Sequence, residues 1–68
     1  MRLTINGEIK ENIRAATLTE LLEELGVTSG RVAVEVNMKV IKRADYGSFG
    51  LHDGDVVEIV NFVGGGQY

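Results

Sequence analysis

The sequence predicts a two-layer α+β domain, in which one mixed β-sheet of four to five strands carries a single main helix. Three observations lead there. Apolar residues alternate with polar ones at Leu3-Thr4-Ile5 and again at Val32-Ala33-Val34-Glu35-Val36, which is the period of a half-buried strand. Between these runs Leu18, Leu21, Leu22 and Leu25 stand at i, i+3, i+4 and i+7, the period of an amphipathic helix. The chain has 68 residues, 44% of them apolar, which is enough for one compact core and too little for two.

The elements follow in order. Leu3 and Ile5 form the inner side of a first strand. Asn6-Gly7 then closes a hairpin, because a type I′ turn needs positive φ at both central residues. The return strand is expected over Glu8 to Ile13, with Ile9 and Ile13 on its inner face. Glu11 between them marks it as an edge or as irregular. Thr17 is the expected N-cap of the helix and Glu20, three residues on, completes a capping box. Gly26 supplies the left-handed stop. A helix of two to three turns is too short to stand alone, so it must lie on the sheet. Val32 to Val36 form the next strand, and a tight turn near Asn37-Met38-Lys39 leads into a short strand through Val40-Ile41. Residues 42–55 read as an irregular crossing segment that ends in the turn Asp53-Gly54-Asp55. The last strand, Val56 to Phe62, is apolar on both faces except at Glu58 and Asn61, which suits the centre of a sheet. The domain is expected to span 1–62. Val63-Gly64-Gly65-Gly66-Gln67-Tyr68 is expected to leave it as a flexible tail.

Charge and composition exclude several functions. Seven Lys and Arg against ten Asp and Glu leave a net charge of −3, with no basic surplus to hold a phosphate backbone, so nucleic acid is not an expected partner. No apolar run approaches the ~18 residues of a membrane span, and no secretory leader is visible at the start. With no Cys there is neither a disulfide framework nor a thiol nucleophile, which fits a cytoplasmic address. His52 has no evident catalytic partner and reads as a surface or turn side chain. Asp53 and Asp55 flank Gly54 as turn residues rather than as metal ligands. No catalytic or metal-binding residue is therefore expected. Glu20, Glu23 and Glu24 form one face of the helix, read as solvated, with electrostatic steering of a basic partner as the alternative.

Two features point towards partners. Gly64-Gly65-Gly66 cannot be a phosphate cradle, since such loops open a helix and no helix follows. A terminal glycine carboxylate is, however, an unhindered acyl group, and adjacent glycines let the chain enter a narrow channel because no Cβ obstructs it. A partner enzyme can then present that carboxylate to the α-phosphate of ATP. A frayed, inert end is the other reading of the same residues. Second, Val56, Val60 and Phe62 share one face of the last strand, opposite Val57 and Ile59. If the latter face the helix, the former make an exposed apolar surface beside the tail, with Val63 at its end, and such patches mark contact sites.

The sequence resembles the ThiS-like sulfur carriers of thiamine biosynthesis. The matching stretches are Thr4-Ile5-Asn6-Gly7, Thr17-Leu18-Thr19-Glu20-Leu21-Leu22, Ala33-Val34-Glu35-Val36-Asn37, and Gly54-Asp55-Val56-Val57-Glu58-Ile59-Val60 followed by Val63-Gly64-Gly65-Gly66. The resemblance implies a β-grasp, ubiquitin-like fold and a non-enzymatic role. It implies that the carboxyl of Gly66, preceded by Gly65, is adenylated by an ATP-dependent E1-like enzyme, converted to a thiocarboxylate, and used by a thiazole synthase. The domain itself would bind no cofactor; the ATP belongs to the partner. Gln67-Tyr68 depart from the family pattern, which ends at Gly-Gly: either a processing protease removes them, or they are foreign to the native protein, or the chain is a divergent member that is not thiocarboxylated. MoaD-like carriers of molybdopterin synthesis, carriers serving cysteine-type pathways, and a β-grasp interaction module without acyl chemistry are the alternatives.

Overall fold

The computed structural model describes residues 1–62. Its elements are β1 (Leu3–Ile5), β2 (Glu8–Lys10), α1 (Leu18–Leu25), β3 (Val32–Val36), β4 (Lys39–Ile41) and β5 (Val56–Asn61). Short 3₁₀ turns lie at Ser29–Arg31 and Arg43–Asp45. The strands form one sheet in the order β2-β1-β5-β3-β4. β1 and β5 run parallel, and the other neighbours are antiparallel, so the sheet is mixed and β5 is its middle strand. This is the β-grasp arrangement, one helix lying across a five-stranded sheet. No helix among the described residues is long and apolar enough to cross a membrane.

Both hairpins use two-residue turns with positive φ at both positions. Asn6 and Gly7 have φ of 50° and 81°, and Asn37 and Met38 have 51° and 72°. The second turn is thus confined to Asn37-Met38, and Met38 takes a left-handed conformation that a Cβ disfavours. Asn37 holds it there. Its Oδ1 accepts from the Val56 amide and its Nδ2 donates to Asp55 Oδ1, each at 3.0 Å.

Both ends of α1 are capped. Thr17 Oγ1 accepts from the Glu20 amide, as the capping box requires, but the Glu20 carboxylate reaches the amide of Ala16 rather than that of Thr17. The first helical amides, Leu18 and Thr19, donate to the carbonyls of Phe49 and Tyr46 in the crossing segment. At the other end Gly26, with φ of 72°, donates to the Glu23 carbonyl while Val27 donates to that of Leu22. This double closure is the Schellman motif.

The core lies between α1 and the inner face of the sheet. Leu18, Leu21 and Leu22 are buried with Leu3, Ile5, Val32, Val34, Val36 and Val57, and the half-buried Leu25 and Ile59 pack against them. The expected helix-on-sheet contact is therefore present. Ile13, Ala15, Ile41, Tyr46 and Leu51 seal its margins from loops and strand ends.

The return strand departs from expectation. It stops at Lys10, and Ile9 is 61% exposed rather than on the inner face. The two-residue turn pairs Ile5 with Glu8 and so Thr4 with Ile9, which places Ile9 on the outer face with Thr4. Asn12, with φ of 61°, then breaks the strand and returns Ile13 to the core. Ile13 is fixed there by exchange of bonds with Met1: its amide donates to the Met1 carbonyl at 2.9 Å, and its carbonyl accepts from the terminal ammonium at 2.7 Å.

Candidate functional surface and tail

β5 alternates in burial from Val56 to Val60. Val57 is fully buried and Ile59 half-buried, so Val56, Glu58 and Val60 point to the side of the sheet away from α1. Phe62 continues that outer row. Val56 is 42% exposed, Val60 58% and Phe62 49%, as the sequence predicts for a contact surface. The register shows what surrounds them. Thr4 lies beside Val56, Glu35 opposite Glu58, and Ala33 opposite Val60. Further out, Ile9 pairs with Thr4 and Val40 pairs with Glu35. Ile9 and Val40 are exposed too, so apolar side chains extend across the outer face to both edge strands. Glu35 and Glu58 place two carboxylates directly opposite each other in this surface, an arrangement that disfavours a sheet.

The strand's exit is held on both sides. The Phe62 amide donates to the Arg31 carbonyl at 2.7 Å. On the opposite side the Asn6 side chain meets Ile59: Asn6 Oδ1 accepts from the Ile59 amide at 2.7 Å, and Asn6 Nδ2 donates to the Ile59 carbonyl at 3.2 Å. Val63, Gly64, Gly65 and Gly66, and with them the expected flexible tail of 63–68, lie outside the described residues.

The remaining polar candidates are structural. Asp53 Oδ1 accepts from the Arg2 amide, and Asp55 Oδ2 accepts from the His52 amide at 2.8 Å. The His52 ring is largely exposed, with Nδ1 3.9 Å from Asp55 Oδ2. The acidic helix face is not simply solvated. Glu24 accepts from the amides of Arg14 and Ala15, and Glu20 from that of Ala16, so two of the three carboxylates tie the preceding loop to α1. Periodicity finds the β5 row but misses Ile9, Val40 and the side-chain role of Asn6. The hairpin register, which follows from the turn length, is the signal that finds the first two.

Known proteins resemble the chain over nearly its whole length. A model of the ThiS family matches residues 3–66. The chain belongs to that family. The sulfur carrier protein ThiS of Bacillus subtilis is 38% identical over 65 residues, covering 94% of this chain and 98% of its own. The crystal structure of the thiamine biosynthesis protein ThiS from Geobacter metallireducens superposes with a TM-score of 0.82 at 39% identity, covering 97% of this chain and all of the other. A thiazole synthase of Paramagnetospirillum magneticum is 46% identical over 67 residues, which are 98% of this chain. The chain spans about a fifth of the length of that synthase, and of a second one from Magnetococcus marinus. Sequence and fold thus agree in placing residues 3–66 within the ThiS family.

Proposed function

We propose that the carrier acts through the carboxyl of Gly66. A partner enzyme of the E1-like type brings that carboxylate to the α-phosphate of ATP. The carboxylate oxygen attacks phosphorus, pyrophosphate leaves, and an acyl-adenylate remains. A hydrosulfide-level nucleophile then attacks the acyl carbon, AMP leaves with the electrons of the broken acyl–phosphate bond, and loss of the S–H proton leaves a thiocarboxylate on Gly66. Thiazole synthase receives it. The ATP is bound by the partner, and its use fits a cytoplasmic address.

One observation carries this reading: the family match runs through the glycines and ends at Gly66, four residues past the exposed Phe62. An apolar surface thus leads into a segment with no Cβ to obstruct a channel. The two thiazole synthases that contain a sequence of this kind support the choice of acceptor, since carrier and synthase sequences there share one chain.

The chemistry sets a condition on Gln67-Tyr68. While Gly66 is joined to Gln67 its carbonyl is an amide, which cannot be adenylated as a carboxylate. A protease must therefore open that bond first. The test compares the 68-residue chain with a form ending at Gly66 in ATP–pyrophosphate exchange with the cognate E1-like enzyme. The shorter form is expected to support exchange and the longer form not to. In the shorter form Gly66→Val should abolish most of it, because a β-branched side chain stiffens and crowds the reacting residue. Equal rates from both lengths, with no proteolysis during the assay, would overturn the assignment.

A further inference from the structure

We propose that Asn6 is a positioning residue for this acyl chemistry: its side chain fixes the end of β5 from which Gly64-Gly65-Gly66 is delivered. The inference rests on the carrier reading above.

Turn chemistry explains the backbone of Asn6 but not its side chain. Positive φ at that place is met equally by Gly or Asp. The side chain instead reaches across 53 positions of sequence to both polar groups of the Ile59 backbone, at 2.7 and 3.2 Å. The reason is a mismatch of lengths. β1 has three residues and pairs with β5 only at Thr4↔Val56 and Ile5↔Val57, whereas β5 has six. The Asn6 amide donates to the Val57 carbonyl, and there the backbone of β1 turns away. A carboxamide has the donor and acceptor of a peptide group. Placed after the last residue of β1, it adds one more rung to the ladder. β5 is thereby gripped on this side as far as Ile59, while Arg31 holds Phe62 from the other.

That grip lies where delivery is decided. Val60 and Phe62 are the surface next to the tail, and the four residues from Phe62 to Gly66 reach at most roughly 14 Å. If the end of β5 loosens, the docked surface and the reacting carboxyl lose their fixed relation. Productive placement then becomes a minor state of a bound carrier. The loss belongs to kcat rather than to KM, because the outer face itself remains intact.

Asn6→Gly keeps the turn and removes both bonds. Asn6→Asp keeps the turn and the acceptor but loses the donor to the Ile59 carbonyl. Hydrogen exchange on the full chain is expected to show the Ile59 amide losing about tenfold or more of its protection in Asn6→Gly, with the amides of α1 unchanged. In pyrophosphate exchange with the Gly66-terminated form, both variants should lower kcat by roughly tenfold or more with KM within about twofold. That form retains the whole core, which lies within residues 3–57. At a temperature where every variant is fully folded, a merely stabilising side chain would move neither constant. Wild-type kcat in Asn6→Gly, or unchanged protection at Ile59, overturns the positioning role alone. Absence of exchange with the Gly66-terminated wild type overturns the carrier chemistry and this inference with it.

Discussion

Leu22 is 1% exposed in the middle of the helix stripe, with Leu18 and Leu21 beside it and Val57 in the same core. Truncating it to Ala removes buried methyl groups and leaves a space that a short helix, fixed at both ends by its caps, cannot close. Leu22→Ala should cost ~2–5 kcal/mol in a denaturant titration. Leu25→Ala should cost less, because that side chain is only half-buried. A loss below about 0.5 kcal/mol for Leu22, the range of surface substitutions, would contradict the packing. Residues such as Leu22 are legible because the helix period leaves them one place to go. Ile9 is not, since its apolar character suits either face and only the register with Thr4 decides. Asn6 is half legible. Its backbone role is written in Asn6-Gly7, whereas its bonds to Ile59 depend on two strands of unequal length meeting in space.

At the scale of elements, α1 shows how a carboxylate that reads as solvent-facing becomes part of the framework. Glu24 is exposed, yet its oxygens accept from Arg14 and Ala15 at 2.9 to 3.2 Å. These bonds place Ala15 in the core and set the path by which the chain enters the helix. Glu23, one residue earlier, makes no such side-chain bond among the described residues. Glu24→Gln should therefore destabilise the domain by about 1 kcal/mol, the ordinary scale of a partly exposed charge-assisted bond. Glu23→Gln should stay within about 0.5 kcal/mol. Equal effects of the two, measured by chemical denaturation, would show the loop bonds to be energetically silent. The caps of α1 were readable from Thr17, Glu20 and Gly26, because capping is local. The loop bonds of Glu24 reach back nine and ten residues, from the helix to the irregular chain before it, and have no local signature. Tyr46 and Leu51 are hidden for the same reason: they are core residues in a crossing segment without periodicity.

At the scale of the molecule the sheet has apolar side chains on both faces and, among the described residues, one α-helix to cover them. The inner face is closed by α1. The outer one carries Ile9, Val40, Val56, Val60 and Phe62 in the open. The strand order β2-β1-β5-β3-β4 produces this by putting the doubly apolar β5 in the middle, so that each face of it becomes the centre of a face of the sheet. Periodicity alone does not dictate that order; the resemblance to a β-grasp carrier does. The arrangement separates stability from recognition, and Phe62 tests the separation. Phe62 is 49% exposed and its amide, not its ring, holds the strand end to Arg31. Phe62→Asp keeps that amide bond and takes little from the core, so the melting temperature should stay nearly constant. A carboxylate within an apolar contact must be desolvated on docking, and an aromatic anchor is lost as well, so affinity for the proposed E1-like partner should fall by at least about tenfold. Isothermal titration of the variant against that enzyme, beside a thermal melt of the variant alone, reads the two effects apart. A domain that unfolds would make Phe62 part of the core and reverse the assignment of faces. A domain that stays folded and binds with wild-type affinity would leave the outer face of β5 outside the interface.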